Sequence, residues 1–213
     1  MSGRPKSERF FTETEKEKIA ATVCDVESRT IGEVVVMVVD SSDPYAEAEF
    51  VGGLLGASSL SLVLSVLLFH SSLFWFITLT LLLMLPFHLL FARVAFLKTL
   101  FIGARRRDEV VRERAMMAFF EKGLHRTREN TGVLFFLSLL ERKVWVLADR
   151  GIYQKIGQET LNQFAGGVSE GVKHGRACEA LIEALQGIGR LLSAHFPMKP
   201  GDIDELPDKV ITE

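Results

Sequence analysis

From Val51 to Ala92 the chain contains no Asp, Glu, Lys or Arg, and this stretch constrains the fold more than any other. Read as helix at about 1.5 Å per residue, about 42 residues reach about 63 Å, two crossings of a hydrocarbon layer about 30 Å thick. Val51 to Phe69 supplies one span and Leu73 to Ala92 the other, with His70-Ser71-Ser72 as the turn. Two buried helices of a soluble bundle would carry polar stripes at helical period, whereas the apolar character here runs round both segments. The expectation is a transmembrane helical hairpin. Gly53, Ala57, Ser61 and Ser65 recur every fourth residue in its first arm, leaving a face without bulk on which another helix packs closely, either within the hairpin or between copies of the chain. His88 is the ionisable residue inside the second arm, near its inner end, where reaching a headgroup or a carbonyl explains it better than proton relay.

All 25 Lys+Arg and 27 Asp+Glu lie outside that stretch, so the remainder has the composition of a water-soluble α/β unit. The near-neutral balance offers no extended basic surface, which argues against a nucleic-acid partner. The opening "MSGRPKSERFFTETEKEK" has no apolar h-region, so the hairpin is expected to be the membrane signal. Cys24 and Cys178 lack any metal or redox spacing and read as reduced core residues. Arg93, Lys98 and the triplet Arg105, Arg106, Arg107 follow the second span, while the turn has no Lys or Arg. The positive-inside rule then makes the triplet an inner-face charge anchor and places both long ends in the cytoplasm.

Along the chain, residues 1–9 read as disordered. Thr12 and Glu15 form a capping box ahead of Ile19, Val23 and Val26 at helical spacing. "EVVVMVVD", Glu33 to Asp40, is apolar on both faces, as a central strand covered on both sides requires. Arg93 to Ile102 suits an interfacial segment. A charged helix follows Gly103, with Val111, Ala115, Ala118 and Phe119 on one side. Val133–Leu139 and Lys143–Ala148 flank a Glu141-Arg142 turn as a β-hairpin. Glu159–Val168 and Arg176–Phe196 carry helical apolar stripes, and the acidic, proline-containing tail from Pro197 is either disordered or an extended docking segment.

The pieces "ESRTIGEVVVMVV", "TGVLFFLSLLERKVWVLADRGI" and a closing helix pair resemble the TPM domain, a family named for a thylakoid lumen protein, a photosystem II-associated protein and a nematode acetylcholine-receptor auxiliary protein. The resemblance covers residues 10–45 and 115–196 and is most specific over Gly132–Ile152. It implies a small mixed β-sheet sandwiched by helices, interrupted by the transmembrane hairpin as an insertion. The organisation expected is 1–9 N-terminus, 10–45 first part of the domain, 46–102 hairpin with interfacial segment, 103–196 second part and 197–213 tail. "HFPMKPGDIDELP" resembles bacterial members that carry such a hairpin, which implies a bacterial inner membrane.

For some members the family implies assembly or repair of membrane complexes, and for others acid phosphatase activity with a divalent ion. Many carry a Gly- and Asp/Asn-rich loop before the strand-turn-strand segment; here that place reads "HRTREN", basic rather than acidic. A hard cation wants clustered carboxylates. Those left are Asp40 and Asp43 after the first strand, Glu141 in the turn and Asp149 after the last strand. Asp40, Glu141 and Asp149 are the metal ligands a membrane-tethered phosphatase would need, yet Glu141 and Asp149 equally suit turn chemistry beside Arg142 and Arg150. Gly167-Val168-Ser169-Glu170-Gly171 matches the G-x-S-x-G nucleophile elbow in letters, but the helical pattern around Ser169 denies it the strand an elbow needs. His125, His174 and His195 have no ligand spacing. The reading is a non-enzymatic module without a cofactor, anchored in the lipid bilayer and binding a membrane protein; the alternative is a divalent-cation-dependent phosphatase-like hydrolase.

Overall fold

A computed structural model describes residues 5–70, 72–127, 129–199, 206 and 209–213. In chain order the helices are α1 (Lys6–Phe10), α2 (Glu13–Glu27), α3 (Ala46–Leu68), α4 (Leu73–Arg93), α5 (Ala95–Phe101), α6 (Ala104–Glu121), α7 (Arg150–Ile156), α8 (Gln158–Lys173) and α9 (Ala177–His195). The strands are β1 (Glu33–Val39), β2 (Gly132–Ser138), β3 (Lys143–Ala148) and β4 (Ile211–Thr212). The chain divides into two units, one of Met1–Ser42 with Glu109–Glu213, the other of Asp43–Asp108.

The first unit is built on a mixed sheet in the order β3-β2-β1-β4. β1 runs parallel to β2 from Glu33↔Gly132 to Val39↔Ser138 and parallel to β4 at Met37↔Ile211 and Val38↔Thr212. β3 returns antiparallel to β2. Seven consecutive buried residues in β1 are explained by cover on both faces. Val34, Val36, Val38, Val133, Phe135 and Leu137 share one core with the buried stripes of α2, α8 and α9. Leu181, Leu185, Ile188 and Leu192 of α9 are fully buried there, and Gly189 sits so close to α2 that a Cβ would come within 2.7 Å of Val26. On the other face Val35, Met37, Leu134 and Phe136 are also buried, and α6 contributes the buried stripe Val110, Val111, Ala115, Ala118 and Phe119.

The capping box at α2 is formed: Thr12 Oγ1 accepts from the Glu15 amide at 3.3 Å, and Glu15 Oε2 accepts from the Thr12 amide at 2.8 Å. Three features depart from the sequence reading. Lys6–Phe10, expected without structure, is a helical turn whose leading amides meet Asp40. Arg150–Ile156 is a short helix capped by Asp149 and stopped by Gly157 at φ 79°, a left-handed angle that glycine adopts without steric cost. Cys24 is exposed rather than in the core, while Cys178 is buried and its thiol is pushed up, first by burial and then by Glu15.

The tail ends as an extended segment docked on the sheet. The Glu213 amide donates to Val38 O at 3.0 Å, and the Asp40 amide donates to Glu213 O at 2.9 Å. The Glu213 carboxylate accepts from Lys122 Nζ at 2.9 Å and from Arg114. Residues 200–205 and 207–208 of the tail, Ser71 of the turn, Arg128 and residues 1–4 lie outside the described residues.

The second unit is the helical hairpin with α5. Both α3 and α4 are long and apolar enough to cross a membrane. Their large side chains point outward: Leu67 is 73% and Phe74 70% exposed, and among the described residues of α4 Phe91 alone is buried. A core helix would have buried this surface. Burial in α3 falls instead on Gly52, Gly53, Ala57, Ser61 and Ser65, its small residues. A Cβ on Gly53 would meet the His88 backbone at 3.2 Å, one on Gly56 the Phe87 ring at 2.5 Å and one on Gly52 the Phe91 ring at 2.3 Å. Ser65 Oγ donates to Ser72 O at 3.0 Å across the turn.

Thr12→Ala removes the reciprocal cap and should lower the stability of the detergent-solubilised chain by about 1 kcal/mol, read as a shifted urea midpoint by circular dichroism. Glu213 gives a pH prediction. The hydrogen bond from Lys122 outweighs the opposing effect of burial and holds its carboxyl below the ordinary glutamate range. The stabilisation is therefore complete above that range and is lost as pH falls through the lower, folded-state value. Amide-exchange protection at Glu213 and Asp40 should fall in that acid window while that of Val36 persists, and Glu213→Gln should flatten most of the response.

Candidate functional site

The three carboxylates expected to meet around a metal do not converge. Asp40 follows β1 and accepts from the amides of Lys6 at 3.0 Å and Ser7 at 2.5 Å, the first turn of α1. Burial raises its pKa, but the two amides more than offset this and hold the carboxyl below its usual range. Glu141, buried in the β2–β3 turn, accepts from the Ser42 amide at 3.1 Å, from Ser41 Oγ at 3.3 Å and from Ser138 Oγ. Ser42 Oγ and Ser138 Oγ are 2.8 Å apart. Glu141 thus fixes the chain where it leaves β1.

Asp149 lies at the opposite end of the sheet, its amide donating to Gly132 O at 2.8 Å. The length of β3, about 20 Å at the usual rise, separates it from Glu141. One of its oxygens accepts from the Arg150 amide at 2.6 Å as the cap of α7, and Oδ2 is buried without a hydrogen-bond partner. Among the described residues no group of three His, Cys, Asp or Glu side chains is placed to hold a metal ion. Ser169 lies inside α8, with helix rather than strand before it, so no nucleophile elbow forms. Asp43 closes a turn just ahead of α3, its Oδ1 accepting from the Tyr45 amide at 2.7 Å.

Within the hairpin unit the flanking charges are paired. Lys98 forms an ion pair with Glu49 and donates to Pro44 O at 3.3 Å. Arg106 stands 3.7 Å from both Asp43 and Glu47. The acidic flank of α3 therefore offsets part of the positive charge that follows α4.

What the fold does gather is positive charge. A cavity of about 850 Å³ in the first unit lies at the carboxyl end of β2, between α1 and the last turns of α8. Its charged lining among the described residues is Lys6, Arg9, Arg142, Lys143 and Lys173, with no carboxylate. Its apolar lining is Phe10, Leu137, Leu139, Val144 and Val172, and Ser138 and Ser169 contribute hydroxyls. Lys173 also donates to Glu170 at 3.0 Å, which holds that carboxyl below its usual value. A cleft lined by one sign of charge above low-dielectric walls concentrates field and draws counter-ions. Arg142 is placed at φ 54°, a left-handed conformation that costs a non-glycine residue about 1–3 kcal/mol, where Gly or Asn would serve the turn more cheaply.

The sequence gives no sign of this cluster. Lys6 and Arg9 precede the hairpin by some forty residues and Arg142 and Lys143 follow it by some forty; only the pairing of β1 with β2 and the return of α1 over Asp40 bring them together.

The TPM domain family model matches residues 92–191, from the end of α4 to α9 and so including β2 and β3. The NMR structure of BA42 protein from the psychrophilic bacterium Bizionia argentinensis superposes with a TM-score of 0.60 at 19% identity, over 96% of this chain and 96% of that one, a likeness of fold. No curated protein matches the sequence. The stretch that matches the TPM domain model, residues 92–191, supplies strands β2 and β3, which complete one sheet with β1 from before the hairpin.

Proposed function

We propose that the protein is a membrane-anchored, non-enzymatic interaction module: the hairpin holds the TPM domain at a bilayer, on the cytoplasmic side, where the domain binds a membrane protein and assists assembly or maintenance of its complex. The observation that carries this reading is the use made of the carboxylates. Asp40 ties down α1, Glu141 ties down the exit from β1, and Asp149 caps α7 at the other end of the sheet. A metal-dependent phosphoryl transfer needs several such oxygens on one cation, and here the three carboxylates are divided between the two ends of the sheet, each accepting from a backbone amide. The cluster that the fold does assemble is cationic and apolar, which suits holding a ligand.

Purified full-length chain in mild detergent should show no divalent-ion-dependent turnover of a generic phosphomonoester above that of the Asp40→Asn and Asp149→Asn variants, and gentle affinity purification should recover a stoichiometric membrane partner. Turnover that drops a hundredfold or more in either variant would establish the hydrolase instead.

A further inference from the structure

The cavity at the carboxyl end of β2 combines two properties that one ligand must satisfy together. Its cations come from separate elements: Lys6 and Arg9 from α1, Arg142 from the β2–β3 turn, Lys143 from the start of β3 and Lys173 from the end of α8. Between them the lining is aliphatic and aromatic, from Phe10, Leu139, Val144 and Val172. A single phosphate or headgroup presents its charge at one place and is best met by converging donors and backbone amides. Several carboxylates along an extended chain, with apolar side chains between them, match both the sign of the charge and the apolar floor, the second of which a phosphate or headgroup alone leaves unused. The volume, about 850 Å³, falls in the range of ligand sites of about 300–1,000 Å³ and accommodates a few residues of such a chain.

We infer that this cavity is the docking site for a short, extended peptide segment of the partner in which acidic and apolar residues alternate. The inference rests on the interaction-module reading and specifies how that module takes hold. The carboxylates pair with Lys6 and Arg142 and compete with Glu170 for Lys173, while the intervening apolar side chains enter the space beside Leu139 and Val172. Placing a cation at φ 54° in the turn follows from this role: Arg142 serves the ligand at the expense of the turn. Arg142→Gly therefore separates binding from folding, because it removes the charge and relieves the backbone at once.

The test uses the full-length chain in nanodiscs of phosphatidylcholine and measures fluorescence anisotropy of a labelled ten-residue peptide alternating Glu and Leu. Three comparison peptides replace Glu by Gln, Leu by Gly, or both. The Glu-Leu peptide should bind at least tenfold more tightly than either single replacement and should weaken as salt is raised. Arg142→Gly combined with Lys173→Gln should weaken it tenfold or more without lowering the melting temperature, and Leu139→Gln, checked for native circular dichroism, should weaken it as well.

Equal binding of the Gln-Leu peptide, indifference to the double variant, or absence of binding overturns the inference. So does full displacement of the peptide by millimolar inorganic phosphate, which identifies a simple anion site, or by phosphatidylglycerol introduced into the nanodisc, which identifies a lipid headgroup site. Recovery of a stoichiometric membrane partner by the double variant would overturn this docking mode alone. Phosphomonoester turnover would overturn the module reading while leaving the peptide affinities as a separate result.

Discussion

Two parallel strands cannot be joined by a tight turn; the chain must travel the length of the sheet before pairing again. β1 and β2 are such a pair, in register over Glu33–Val39 and Gly132–Ser138, and every other feature is arranged around the crossover this demands. The crossover is where the apolar hairpin lies in the sequence, so the insertion lengthens a connection that had to be long and interrupts no strand or helix of the sheet unit. The two ends of that connection are secured from within the unit. At the exit, Glu141 and Ser138 hold Ser41 and Ser42. At the return, the buried stripe of α6 packs its share of the core before Thr131 Oγ1 donates to Ile31 O at 2.9 Å and aligns β2 beside β1.

The same arrangement sets the acidic residues apart. A mixed sheet with β3 antiparallel sends Glu141 to one end and Asp149 to the other. At the carboxyl end of β1 and β2, where α/β folds commonly bind ligands, Asp40 and Glu141 face inward on backbone amides and the surface left open is lined by lysine and arginine. In electrostatic terms the cavity at this end of the sheet presents positive charge.

Legibility from sequence followed the length and regularity of each pattern. The hairpin arms, the uninterrupted β-branched run of β1, the β2–β3 hairpin and the stripes of α2 and α9 were readable, because burial imposes a period that composition cannot hide. Shorter elements were not. α7 rests on one capping Asp and places Gly151 in its first turn, α1 is five residues long, and β4 is two residues that acquire meaning only when Glu213 meets Val38, Lys122 and Arg114. The cationic cavity was invisible for a different reason: its members are close only in three dimensions. The fate of Asp40, Glu141 and Asp149 likewise turned on strand direction, which residue types alone do not encode.

The anchoring depends most on α3 and α4 lying in lipid, with their outward leucines and phenylalanines facing acyl chains and the small residues of α3 packed against Phe87, His88 and Phe91 of α4. Alkaline carbonate extraction of membranes carrying the full-length chain tests this directly. The protein should remain with the bilayer at high pH and leave it only in detergent. Release into the aqueous fraction as a monodisperse species, stable without detergent, would contradict it.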